Sequence, residues 1–181
     1  LSRVAIIMGG TVLGAEAFLS GCKTASTGIS FSAADISFLD EVAETILPAT
    51  NTPGAKEAKV GEFMKVMVTD CYGAKDQTIF MDGIKKLDEA SKKANGKTFM
   101  ESDAKQRHEL LVALDKEAKA HQAAKKPEEP KHYFTMMKEL TLTGFFTSEV
   151  GATKALRYVA VPGKFEGSVP YTKGEKAWAT S

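Results

Sequence analysis

Cysteine is scarce in this 181-residue chain: Cys22 and Cys71 lie about fifty positions apart. Two such residues make no disulfide framework, and without a C-x-x-C pair they offer no structural zinc or redox motif. Histidine is almost as rare. His108, His121 and His132 form no H-x-x-x-H pair and have no cysteine nearby in sequence, so no helical metal site is expected. Charge of one sign is also missing, since 24 basic and 23 acidic residues leave a formal net charge of +1. That balance excludes a protein that binds by neutralising phosphates, and no nucleic-acid partner is expected. The sequence lacks a G-x-S-x-G elbow, a P-loop, a G-x-G-x-x-G turn and an EF-hand loop, and the stretch "MGGTVLG" has no strand before it. Ser148 and Glu149 are neighbours on the chain and rarely would face each other as nucleophile and base. Neither a catalytic set nor a cofactor site is therefore expected on this chain.

What is present is the composition of one globular domain, 43% hydrophobic and 26% charged, with an N-terminal extension. The opening "LSRVAIIMGGTVLGAEAFLSGC" runs from a basic residue, Arg3, through an apolar stretch to small residues before Cys22, the order of a secretory signal. Its apolar part falls short of the roughly 20 residues of a membrane span. Leu19-Ser20-Gly21-Cys22 resembles the lipobox of bacterial lipoproteins, which makes Cys22 the candidate for lipidation. The competing reading is a first core helix over residues 4–19, against which stand Gly9, Gly10 and Gly14, each costing about 1 kcal/mol relative to Ala in a helix interior. Residues 1–22 are thus expected to be an export or lipoprotein-type segment that associates with a membrane. If retained, the segment would pack on a partner or anchor a complex. The small polar residues 23–31 form a tether.

The helical pattern begins at Ser32, an N-cap with Asp35 in the capping-box position, and continues through Phe38, Leu39, Val42 and Ile46 to a stop at Pro48. A turn-rich connection follows. Val60, Phe63, Met64, Met67, Val68 and Cys71 recur at helical spacing, which places Cys71 on or beside a buried face as a packed thiol. A third helix carries Ile79, Phe80, Ile84, Leu87 and Ala90 and ends at Asn95-Gly96. Ser102 or Asp103 caps a fourth helix with Leu110, Leu111 and Leu114 inward, and "AAKKPEEPKH" is a solvated linker. "YFTMMKELTLTGFF", residues 133–146, has the apolar density of a central fifth helix, weakened in its second half by Thr141, Thr143 and Gly144. The acidic pairs Asp40-Glu41 and Glu128-Glu129 read as solvated faces. No segment reads as a strand, so the fold class is all-α, a domain of about five helices over residues 32–147.

From Ser148 the periodicity ends. Gly151, Pro162, Gly163, Gly167, Pro170 and Gly174 interrupt residues 148–181, yet this arm keeps Phe165, Tyr171 and Trp178. An aromatic-bearing segment without a core of its own is expected to dock on a partner. The interface candidates are Phe145, Phe146, Glu149, Arg157, Tyr158, Phe165, Tyr171 and Trp178. Phe145 and Phe146 divide evenly between closing the core and facing a partner, and Arg157 and Glu149 are read as pairing with the partner or with each other.

The stretch from Tyr133 to Ala179, together with "FLDEVAETILPATNTPGAKEAKVGEFMKVMVTDCY" and its ILPAT-x-TPGA turn and D-C-Y ending, resembles the gluconate 2-dehydrogenase subunit 3 family over about residues 35–179. The resemblance implies a non-catalytic small subunit of a flavin-dependent sugar, sugar-acid or glycoside dehydrogenase. Its large partner, of the glucose-methanol-choline type, would hold the FAD, and a further cytochrome c subunit would hold haem c in some complexes. It also implies a periplasmic location and a twin-arginine signal that exports both subunits. Here only Arg3 is seen, so that signal calls for an arginine upstream of Leu1. The alternative is a free-standing periplasmic lipoprotein that binds a ligand in its helical body.

Overall fold

The computed structural model describes residues 28–161, 163–164 and 167–179. The readings placed on the N-terminal segment, Cys22 included, lie outside the described residues, and so does Phe165. Five α-helices follow one another: α1 (Ala33–Ile46), α2 (Val60–Cys71), α3 (Ala74–Asn95), α4 (Ala104–Ala124) and α5 (Tyr133–Thr147), and then a single π-helical turn, Gly151–Ala155. Among the described residues no strand forms; one isolated bridge joins Arg157 and Trp178.

The helix starts follow local chemistry. At α1 the Ser32 hydroxyl accepts from the Asp35 N–H at 3.2 Å, while Asp35 accepts from the Ser32 N–H at 2.8 Å. Asp103 and Gln106 repeat the arrangement at α4, so two orphan amides are satisfied reciprocally at each end. Gly96, at φ +69°, ends α3 by donating to the Lys92 carbonyl at 2.9 Å.

Helix α5 is the centre, packed against all four other helices and the π turn. Phe134, Met137, Leu140 and Phe145 meet Leu39 and Val42 of α1, Met64 and Val68 of α2, Phe80 and Leu87 of α3, and Leu111 and Leu114 of α4 in one core. The residues that weaken α5 by propensity are the ones its packing uses. The Thr141 hydroxyl is buried and donates to the Met137 carbonyl at 2.8 Å. Gly144 lies against the Phe63 ring, whose Cδ1 would stand 2.6 Å from an added Cβ. Close approach of α2 thus sets the residue there, and tertiary contact outweighs the propensity cost of about 1 kcal/mol.

Two sequence expectations are corrected. Cys71 is exposed, because the inward face of α2 ends at Val68 and Cys71 closes the last turn beyond it. Asp40 and Glu41 are not a solvated face. Asp40 accepts from the Gly61 N–H at 2.7 Å, and its carboxyl is raised above the ordinary value, chiefly by burial. Glu41 pairs with Arg107 and Lys56, far along the sequence. Apart from these, the fold brings His121 and His132 to a ring separation of 5.6 Å where α4 leaves and α5 begins.

Candidate functional site

After α5 the chain is turned by its own polar groups. The Ser148 hydroxyl donates to the Phe145 carbonyl at 2.6 Å and accepts from the Gly151 N–H at 2.9 Å. Gly151 sits so close to the end of α5 that an added Cβ would lie 1.9 Å from the Phe145 carbonyl oxygen. Lys154 fastens the turn to the body through an ion pair with Glu57 at 2.6 Å. The outgoing arm therefore starts from a fixed point.

Arg157 then meets the far end of the arm. Its N–H donates to the Ala177 carbonyl and its carbonyl accepts from the Ala179 N–H, both at 2.8 Å. The guanidinium lies over the Trp178 ring, 3.8 Å from the centroid, and approaches Glu175 at 3.8 Å. A cation this close to an indole face is held by the ring quadrupole as well as by contact. Ala179 is buried beyond the bridge. The two ends of the arm thus form a closed neck, and an open hollow of about 630 Å³ beside it is lined by Arg157, Val169, Tyr171, Glu175 and Trp178 among others.

The interface candidates fall into three groups. Phe145, at 3% exposure, belongs to the core. Phe146 faces outward, with its ring edge-on to Phe145 at 5.1 Å. Tyr158 and Tyr171 are exposed, Tyr171 at 80%; Trp178 is half-covered, with one ring face against Arg157. Glu149 is exposed and its carbonyl accepts from the Thr153 hydroxyl, while the carboxylate beside Arg157 is that of Glu175. Sequence reasoning passed over Leu142, Val159, Val161 and Val169, all exposed. The apolar pair Val159 and Val161, just before Pro162 in an aperiodic segment, was the available signal. Of the eleven large apolar side chains exposed among the described residues, eight lie between Leu142 and Trp178. This concentration on one stretch of chain sets it apart from apolar groups exposed singly, which are ordinary.

The second polar cluster is at the α4–α5 junction. His132 Nδ1 accepts from the Phe134 N–H at 3.2 Å as the cap of α5, its Nε2 stands 3.6 Å from Glu117, and its ring stacks 4.4 Å from Tyr133. Burial, opposed by Glu117, lowers the His132 pKa, and burial pushes the Tyr133 hydroxyl up to about 12. His121 Nδ1 is buried without a hydrogen-bond partner. Among the described residues no group of three or more His, Cys, Asp or Glu side chains is placed to hold a metal ion, and no helix is long and apolar enough to cross a membrane.

Comparison with known proteins matches residues 33–163 to the family described as gluconate 2-dehydrogenase subunit 3. The match covers well over half the chain and ends at Gly163, within the arm. No curated protein and no solved structure matches.

Proposed function

The chain belongs to the gluconate 2-dehydrogenase subunit 3 family, and on that premise we propose that it is the non-catalytic small subunit that stabilises an FAD-bearing large subunit and accompanies its export to the periplasmic side of the membrane. The family is one of accessory subunits of a multi-subunit dehydrogenase. The observation that carries the reading is the gathering of eight exposed apolar side chains on the end of α5 and the arm, a surface suited to another protein. In this reading the substrate site and the flavin belong to the large subunit, and haem c to a further cytochrome subunit where one is present. The export-type residues 1–22 serve the pair, through a twin-arginine signal or through lipid attachment at Cys22.

The test is production of the large subunit with and without this chain. With it, the large subunit should be exported, should hold flavin and should co-purify with this chain in fixed ratio. Without it, the large subunit should be degraded or remain in the cytoplasm. Full activity and normal export in its absence would overturn the proposal, as would recovery of a lone chain from native membranes, the behaviour of a free-standing lipoprotein.

A further inference from the structure

We propose that the arm is a preformed docking loop, closed by Arg157 and Trp178 before any partner arrives, which presents Val161, Val169 and Tyr171 to an apolar groove with an acidic rim on the flavoprotein subunit. The inference rests on the reading of this chain as that subunit's companion.

Three observations carry it. The neck is made by two backbone hydrogen bonds, a cation over an indole and an ion pair, all between residues about twenty positions apart. A loop of that length left open would have to close on binding; one already closed at its base has that part of the entropy cost behind it. Among the described residues Val161 is 81% exposed, Tyr171 80% and Val169 50%. A second turn, in which the Glu175 N–H donates to the Thr172 carbonyl at 3.1 Å and Gly174 takes φ +92°, fixes the return of the chain just after Tyr171. Charge supplies the character of the groove. Between Gly151 and Ala179 the sequence carries five basic and two acidic residues, so the arm is net positive while the rest of the chain is net negative. Lys173 lies within the turn after Tyr171, and Lys176 follows it with its Nζ donating to the Lys154 carbonyl. Val169 and Tyr171 line one hollow with Lys176, and exposed apolar groups among like charges are complementary to an apolar groove bordered by carboxylates.

The experiment uses the full chain co-expressed with the affinity-tagged flavoprotein subunit, and measures exchange of the bound chain against labelled wild type at low and high salt. Tyr171→Ala and Trp178→Ala should each speed dissociation about tenfold or more, since apolar anchors act mainly on the off-rate. Lys173→Glu combined with Lys176→Glu should slow association and flatten its salt dependence. Helical circular dichroism of all three variants should match wild type, separating loss of docking from loss of fold. Exchange at the wild-type rate in all variants overturns the loop proposal alone, leaving the subunit reading intact. Loss with Tyr171→Ala but not with Trp178→Ala overturns preformation, because the neck would then be dispensable. If the charge-reversed pair exchanges normally but no longer sediments with phosphatidylglycerol-containing vesicles, the loop belongs to a lipid surface and the proposal fails. A wild-type chain that the flavoprotein does not retain overturns both readings.

Discussion

Arg107 ties together three parts of the chain that are remote in sequence. Its Nη1 donates to Glu41 of α1, its Nε to the Phe99 carbonyl at 2.9 Å and its Nη2 to the Met100 carbonyl at 2.7 Å, with the guanidinium 5.5 Å from the Phe99 centroid. Both partners are largely removed from water, with side-chain exposures of 15% and 17%. Removing the cation leaves one carboxylate and two carbonyls short of a donor, and Lys56 remains to soften the loss. Arg107→Ala should therefore lower stability by about 2–3 kcal/mol in urea unfolding, below the value for a fully buried pair because some water reaches it. Arg107→Lys should recover less than half of that, because an ammonium cannot reproduce a planar fork of donors. A lysine variant as stable as wild type would show that charge alone suffices there. Local pattern could not expose this residue's role, since its carboxylate partner is 66 positions away. The Ser32 and Asp103 caps were legible for the opposite reason: donor and acceptor lie within three residues.

At the scale of elements, the α4–α5 pair responds to acid in two ways. The Asp115 carboxylate accepts from Lys119 of its own helix at 2.7 Å and from Lys138 of α5 at 2.6 Å, and these bonds lower its pKa. A lowered carboxylate contributes stability that is complete above its unfolded value of about 3.9 and is lost as pH falls through the folded one. Asp115→Asn should thus lower stability at neutral pH and reduce the acid dependence below about pH 4 in pH-dependent unfolding. His132 is the second group. Burial holds its pKa down; Glu117 opposes, while His121 and Lys86 reinforce the shift, and Tyr133 stacks on the ring. The unfolded chain takes up a proton at about pH 6.5 that the folded chain resists, so stability should begin to fall as pH drops below about 6.5. Protonation at Nδ1 would also remove the acceptor that caps α5. His132→Asn keeps a capping oxygen without a titrating proton and should flatten the dependence just below pH 6.5; an unchanged slope would assign that dependence to other groups. The helices themselves were legible because apolar period and caps agree, whereas the meeting of His121 and His132 depends on the path of the Pro-containing linker, which no spacing rule specifies.

For the molecule as a whole, body and arm differ in what holds them. The body is one core centred on α5, and among the described residues none beyond Ala155 belongs to it. Truncation after Gly163 should accordingly leave the helical circular dichroism intact and shift Tm by less than about 4 °C, the equivalent of roughly 1 kcal/mol. A large loss of stability would show that the neck braces the core. Sequence reasoning read the arm as irregular because glycine and proline break every period in it. It did not show the neck, since a single bridge between Arg157 and Trp178 has no repeating pattern to betray it.

Trp178 is the chain's only tryptophan, and it lies beneath Arg157 in the neck, outside the buried core cluster. Indole emission from this protein consequently reports the closure of one loop and is almost blind to the bundle. Unfolding followed by fluorescence and unfolding followed by helical ellipticity should trace separate curves. In most small proteins such divergence is the signature of a populated intermediate; here it would mean only that the sole indole and the core occupy different parts of the structure.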